Sequence, residues 1–155
     1  MVTKLDWKKG RGKLGLLDPL LGNWIAHDDS PAGALTCTRS YTRALNGKYL
    51  HLSALWEIPG RGNYEESAYL GVDADGSLAF WSFTSDGKHS QGHLADVSDL
   101  HPQAIGFEAQ MPAGLARMAY WPDESDGFHW VVESRTQKGW NRFTHHHYHA
   151  LEPKD

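Results

Sequence analysis

Four of the chain's ten histidines crowd into the run Thr144-His145-His146-His147-Tyr148-His149. Imidazole titrates near neutral pH, so such a run can serve acid/base chemistry, and it is a good ligand for zinc, nickel and iron. Side chains alternate along a strand, so His145, His147 and His149 share one face while His146 joins Thr144 and Tyr148 on the other. The preceding turn decides which face is interior. A three-residue loop, Gln137-Lys138-Gly139, pairs Thr136 with Trp140, Ser134 with Arg142, Val132 with Thr144 and Trp130 with His146. That register turns Trp130, Val132, Arg142, His146 and Tyr148 inward and leaves His129 opposite His147 outside. A two-residue Lys138-Gly139 turn inverts the relationship and sends His145 and His147 inward with Trp130. On the first register, His129, His145, His147 and His149 make an outer imidazole face able to hold zinc or nickel loosely, with no obvious carboxylate at fixed spacing. His146 is then an inward acid/base group, a haem ligand, or a histidine hydrogen-bonded in a semi-polar cavity.

The second chemically active residue is Arg39, and a hairpin places it. Asn46-Gly47 is the preferred centre of a two-residue type I′ turn, because both central residues need positive φ. Pairing Leu45 with Lys48 sets Cys37 opposite Trp56, Arg39 opposite Ala54, Tyr41 opposite Leu52 and Leu35 opposite Ile58. The other face receives Thr36, Thr38, Ser40 and Thr42 against Glu57, Leu55, Ser53 and His51. One face is apolar and the other mostly polar on both strands, an agreement that a slip of one residue destroys. Arg39 is the charge on the apolar face. Desolvating a guanidinium alone is costly, so Arg39 is expected either to pair with a carboxylate such as Glu57, Glu66 or Glu133 or to anchor an anionic ligand headgroup. Glu65 and Glu66 are adjacent and so lie on opposite strand faces, which prevents them from acting as a catalytic pair.

The elements that must carry these residues are short strands. Apolar and aromatic segments of strand length recur along the chain, each closed by a turn built on Gly, Asn, Asp or Pro, with one helical turn expected at residues 16–22, Asp18 as its N-cap and Pro19 at its first position. Strands are expected over 23–27, 35–45, 48–58, 64–73, 77–85, 88–97, 104–111, 115–121, 128–136 and 140–151. Consecutive antiparallel strands joined by tight turns form an up-and-down meander, and ten of them eliminate exposed edges by closing. The expected fold is therefore all-β: a single antiparallel barrel over residues 18–155, preceded by an arm over 1–17.

Composition narrows the functional classes. The 155 residues suffice for one domain with its own core, and 40% hydrophobic content with seven Trp, six Tyr and five Phe argues against disorder. A net charge of −4 gives no electrostatic footprint for nucleic acid, and the basic run Lys8, Lys9, Arg11, Lys13 reads as a solvated arm. The single cysteine, Cys37, forms no internal disulfide and no thiolate cage. No apolar run approaches the ~20 residues of a membrane helix, and no signal peptide is recognisable, so a cytoplasmic protein with no membrane partner is expected. Nucleophile elbows, phosphate loops and dinucleotide fingerprints are absent from the sequence.

The succession Leu20-Leu21-Gly22-Asn23-Trp24, Asn46-Gly47-Lys48-Tyr49-Leu50, Tyr69-Leu70-Gly71-Val72-Asp73, Phe80-Trp81 and a late Trp140 resembles the lipocalin-like families of the calycin group. The bacterial lipocalin-like family known only as a domain of unknown function shares these motifs in this order, over most of residues 18–151. That resemblance implies a first-strand tryptophan, Trp24, lying beneath an arginine of the last strand, Arg142, to plug one barrel end. The chain also resembles the nitrobindin-like haem barrels through Gly22 and Trp24, without the two later glycines of their opening motif. That likeness implies a haem held by a histidine near the C-terminus.

These readings converge on a binding module without catalytic residues or a resident cofactor. The expected ligand is a small apolar or amphiphilic, anionic molecule, contacted by Arg39, Tyr41, Leu52, Trp56, Trp130, His146 and Tyr148. The alternatives are an isomerase, cyclase or decarboxylase using His146, Tyr148 and Arg39, and haem or metal binding through the C-terminal histidines.

Overall fold

The computed structural model describes residues 7–30 and 33–151. Ten antiparallel strands follow one another: β1 (Gly22–Ser30), β2 (Gly33–Ala44), β3 (Tyr49–Ile58), β4 (Gly62–Val72), β5 (Leu78–Thr84), β6 (His89–Ala95), β7 (Ile105–Met111), β8 (Gly114–Pro122), β9 (Phe128–Thr136) and β10 (Gly139–Ala150). Each pairs with its neighbours in sequence, and β10 pairs with β1 to close the barrel. All ten strands read from the sequence are present. No helix among the described residues is long and apolar enough to cross a membrane.

The Asn46-Gly47 turn forms as expected, with Asn46 at φ 60° and Gly47 at φ 75°, and the Lys48 amide donates to the Leu45 carbonyl at 3.2 Å. It sets Cys37 opposite Trp56, Arg39 opposite Ala54 and Tyr41 opposite Leu52. The last hairpin departs from expectation. Its turn is Gln137-Lys138, closed by Thr136 opposite Gly139, so Trp140 faces Arg135 and Arg142 faces Glu133. The Thr136 hydroxyl tightens this turn by donating to the Gly139 carbonyl and accepting from the Lys138 amide. An extra residue, Phe143, then bulges out, and beyond it Thr144 faces Val132, His146 faces Trp130 and His147 faces His129. A bulge inserts one residue and restores the alternation that the shorter turn had inverted. The histidines thus keep the faces read from the first register, whereas Arg142 moves to the outer wall beside Glu133.

One barrel end is plugged by a 3₁₀ helix, Leu14–Leu20, that starts earlier than the turn expected at 16–22. A 3₁₀ helix repeats every three residues, so Leu14, Leu17 and Leu20 line up on one side, and Leu17 and Leu20 are fully buried in the barrel mouth. Asp18 lies inside this helix rather than capping it, and accepts from Arg43 at 2.6 Å. The Trp24 indole donates to the Leu20 carbonyl at 2.8 Å and packs edge-on against Phe128. No arginine covers it from β10: Arg142, turned outward by the two-residue turn ahead of the bulge, lies over Trp121, correcting the Trp24–Arg142 plug implied by the lipocalin resemblance. Of the arm expected over 1–17, Trp7 packs against Phe128 and its amide donates to Gln103, while residues 1–6 lie outside the described part.

The main core fills the helix end of the lumen with Leu17, Leu20, Leu50, Leu70, Tyr120, Phe128 and Tyr148. A smaller outer cluster, Val97, Ala119 and Val131, is covered by Leu100 and Ala104 from the loop between β6 and β7. Buried Arg117 clips that loop down through two bonds to Asp99, at 3.1 and 2.8 Å, and one to Glu133 at 2.8 Å.

Candidate functional site

The register of β2 turns Arg39 into the lumen, where its side chain is 1% exposed. Its Nη1 donates to the Tyr41 hydroxyl at 3.0 Å, which donates in turn to the Tyr120 hydroxyl at 2.7 Å. Glu66 is the carboxylate that faces it: Oε1 lies 3.6 Å from Arg39 Nη2, an ion pair too long for a hydrogen bond, and Oε2 accepts from Ser82 at 2.6 Å. Aromatic faces supply the rest of the environment. The guanidinium carbon sits 4.2 Å from the Trp130 ring centre, 5.3 Å from Tyr148 and 5.5 Å from Trp56, all within cation–π range. Burial pushes the Tyr41, Tyr120 and Tyr148 hydroxyls upward from the usual phenol range against the pull of Arg39, and pushes the Cys37 thiol up as well. These groups are therefore neutral donors rather than bases or nucleophiles at neutral pH.

Several buried polar atoms here have no hydrogen-bond partner: Arg39 Nε and Nη2, Trp130 Nε1 and His146 Nδ1. They belong to one cluster, because the Trp130 ring packs against the Arg39 guanidinium and is parallel to the His146 imidazole within 6°. His146 Nδ1 is 3.4 Å from an Asp28 carboxylate oxygen, and burial lowers its pKa against the opposing charge of Asp28. Buried polar groups are ordinarily satisfied, so the unpartnered N–H groups of Arg39 and Trp130 mark a place for acceptor atoms. Arg39, Trp130, Leu52 and Tyr120 border a small void of about 20 Å³, room for an atom or two.

The same void is walled by Glu66, Phe80 and Met118, and these three side chains also wall a larger cavity of about 400 Å³. That cavity occupies the barrel half remote from the 3₁₀ helix. Phe107, Ala109 and Met111 from β7, Ala116 from β8 and Val132 from β9 supply its apolar surface, with Ser90, Ser134 and Glu66 as polar points. Its position follows from strand pairing: the β6–β7 register runs from Ala95 opposite Gly106 to His93 opposite Glu108, and Ser90, Ala109 and Met111 lie beyond it.

Arg39, Tyr41, Trp56, Trp130, His146 and Tyr148, named from the sequence, do gather around one guanidinium, and Leu52 borders the void beside it. Arg39, Tyr41 and Tyr148 are sealed from solvent, and none of the seven lines the larger cavity. Sequence reasoning missed the wall residues Phe107, Ala109, Met111, Ala116 and Met118. Their alternation along β7 and β8 was the available signal. His146 packs on Trp130 and does not line the cavity, so the cavity offers no axial imidazole to a planar iron porphyrin, and the residues present do not fit haem. The remaining clustered histidines, His129, His145, His147 and His149, lie on the outer wall.

No family model matches the chain, and no curated protein matches it in sequence. Among solved structures, the crystal structure of Rv2717c from M. tuberculosis is similar, with a TM-score of 0.59 and 15% sequence identity over 92% of this chain and 99% of that one. A likeness at that identity is one of architecture: the chain is a closed ten-stranded antiparallel barrel, consistent with the calycin type.

Proposed function

We propose that the barrel binds a small apolar or amphiphilic molecule, with its apolar body in the open cavity and an acceptor-bearing head, such as a carboxylate, reaching Arg39. The observation that carries this reading is the shared wall of Glu66, Phe80 and Met118, with orphaned N–H donors behind it and about 400 Å³ of apolar space in front. Ligand pockets of roughly 300–1,000 Å³ typically combine such a greasy lining with a few placed polar groups. The lipocalin-like sequence motifs support the same reading. Two carboxylates repel each other at one guanidinium, so an anionic head binds with Glu66 swung toward the mouth. Binding is favoured over catalysis because no histidine, cysteine or tyrosine lines the cavity, leaving Glu66 as its one carboxylate among the described residues.

The test uses two fluorescent probes, anionic 1-anilinonaphthalene-8-sulfonate and uncharged N-phenyl-1-naphthylamine, titrated into the purified protein. Both are expected to bind, and Ala116→Trp, which fills the cavity, is expected to abolish both without lowering the melting temperature. Glu66→Gln is expected to tighten the sulfonate alone. Probe binding that survives Ala116→Trp overturns the cavity assignment, and equal responses of both probes to Glu66→Gln overturn the role of Arg39. Native mass spectrometry of the protein as purified then identifies a copurifying ligand.

A further inference from the structure

We infer that the outer wall of the barrel carries a zinc site formed by Asp123, His147 and His149. One donor atom from each of these residues lies within 4.8 Å of the others. Tetrahedral zinc with Zn–N bonds of about 2.0–2.1 Å holds its ligand atoms about 3.3 Å apart, so modest rotation of exposed imidazoles completes the arrangement.

Each ligand is positioned by the fold. His147 and His149 are alternate residues of β10, which puts both on the outer face, and their rings lie 4.4 Å apart. Asp123 begins the loop between β8 and β9, and supplies the carboxylate that the spacing of the histidines did not reveal. Its side chain is 4% exposed, and its Oδ1 accepts from the Ser125 and Gly127 amides at 2.8 and 3.1 Å. Those bonds hold the carboxylate in place, while Oδ2 contacts His147 Nε2 and accepts from the Ser125 hydroxyl at 3.0 Å. A carboxylate fixed by backbone amides is a preorganised ligand.

The surroundings also suit a metal. His147 stacks within 11° on His129, which lies on Trp121, and His129 Nδ1 is 3.1 Å from His145 Nε2. This packing limits how the His147 ring can turn and resembles the outer shell that orients metal-bound imidazoles. Two imidazoles and one carboxylate make the donor set that borderline-soft zinc prefers, with a fourth position left to water. The ion would join the β8–β9 loop to β10 near the seam where His149 pairs with Ile25 of β1.

Zinc chloride titrated calorimetrically into metal-stripped full-length protein tests the site, with cobalt as a coloured substitute. The expected result is one zinc per chain, a visible tetrahedral cobalt band, and a melting temperature that rises with zinc. His149→Ala and His147→Ala change exposed side chains, so both are expected to fold. Each should weaken zinc by at least about tenfold and bleach the cobalt band. His93→Ala, at a histidine paired with Asp73 on another part of the wall, should change nothing. Failure of the wild type to bind zinc stoichiometrically overturns the proposal, as does binding that survives both β10 substitutions.

Discussion

Replacing Glu66 with glutamine tests how the buried Arg39 charge is held. The amide keeps the shape of the side chain and can still accept from Ser82, so the substitution removes little besides the negative charge. With 3.6 Å between Arg39 Nη2 and Glu66 Oε1 and an effective dielectric constant near 20, the attraction amounts to about 4–5 kcal/mol. Glu66 is 18% exposed, so water screens part of this. Loss of one partner from a buried pair costs about 3–5 kcal/mol, and the expected destabilisation is about 3 kcal/mol, at the lower end. For a domain of this size that corresponds to a melting temperature lower by about 6–12 °C.

Urea denaturation monitored by circular dichroism and tryptophan fluorescence measures the change, with an unchanged m-value confirming that the folded state is intact. A cycle with Arg39→Met isolates the pair: the double variant should be more stable than additivity allows by about 2–3 kcal/mol. If Glu66→Gln lies within about 0.5 kcal/mol of the wild type, the reasoning is refuted. The aromatic faces of Trp130, Tyr148 and Trp56 and the Tyr41 hydroxyl would then hold the guanidinium without a counter-charge.

Two further predictions concern the wall around the site. A Cβ added at Gly127 would overlap the Tyr148 carbonyl oxygen and lie 2.9 Å from its carbon. Backbone cannot yield as a flexible side chain can, so Gly127→Ala is expected to destabilise by about 3 kcal/mol in urea titrations, and a change below about 1 kcal/mol would contradict the close approach of the β8–β9 loop to β10. Hydrogen bonds from Arg117 hold Asp99 below its ordinary carboxylate value of 3.8. A depressed folded-state value means that its stabilisation is fully present above 3.8 and fades as pH falls through the folded value. Asp99→Asn should therefore be less stable than the wild type at pH 7, and the two stability curves should converge in acid; a gap that persists at low pH would assign the effect to packing.

The polar–apolar alternation from Thr36 to Glu57, together with Asn46-Gly47, was enough to place Arg39, Tyr41 and Trp56 on the lumen side, because pleat and turn type jointly leave one register. Trp130, His146 and Tyr148 were legible for a less direct reason. Their faces came out as read although the Gln137-Lys138 turn is one residue shorter than the loop assumed, since the bulge at Phe143 cancels the difference. Arg142 lies between the turn and the bulge, so it was misplaced.

Local pattern, then, was sufficient to specify ten strands, a closed sheet and which side of it each central residue occupies, since those properties depend on near neighbours along one or two strands. Selection of Glu66 as the partner of Arg39 depended on the β3–β4 register, which sets Glu66 opposite Ala54 and so in the same row as Arg39. Division of the lumen into a packed half and an open half depended on where the 3₁₀ helix seats and where the β6–β7 pairing stops. The meeting of Asp123 with His147 and His149 required a loop from one hairpin to settle against the strand of the next. Each is a relation among separate segments set by their pairing and closure in three dimensions, and no periodicity within a single segment encodes it.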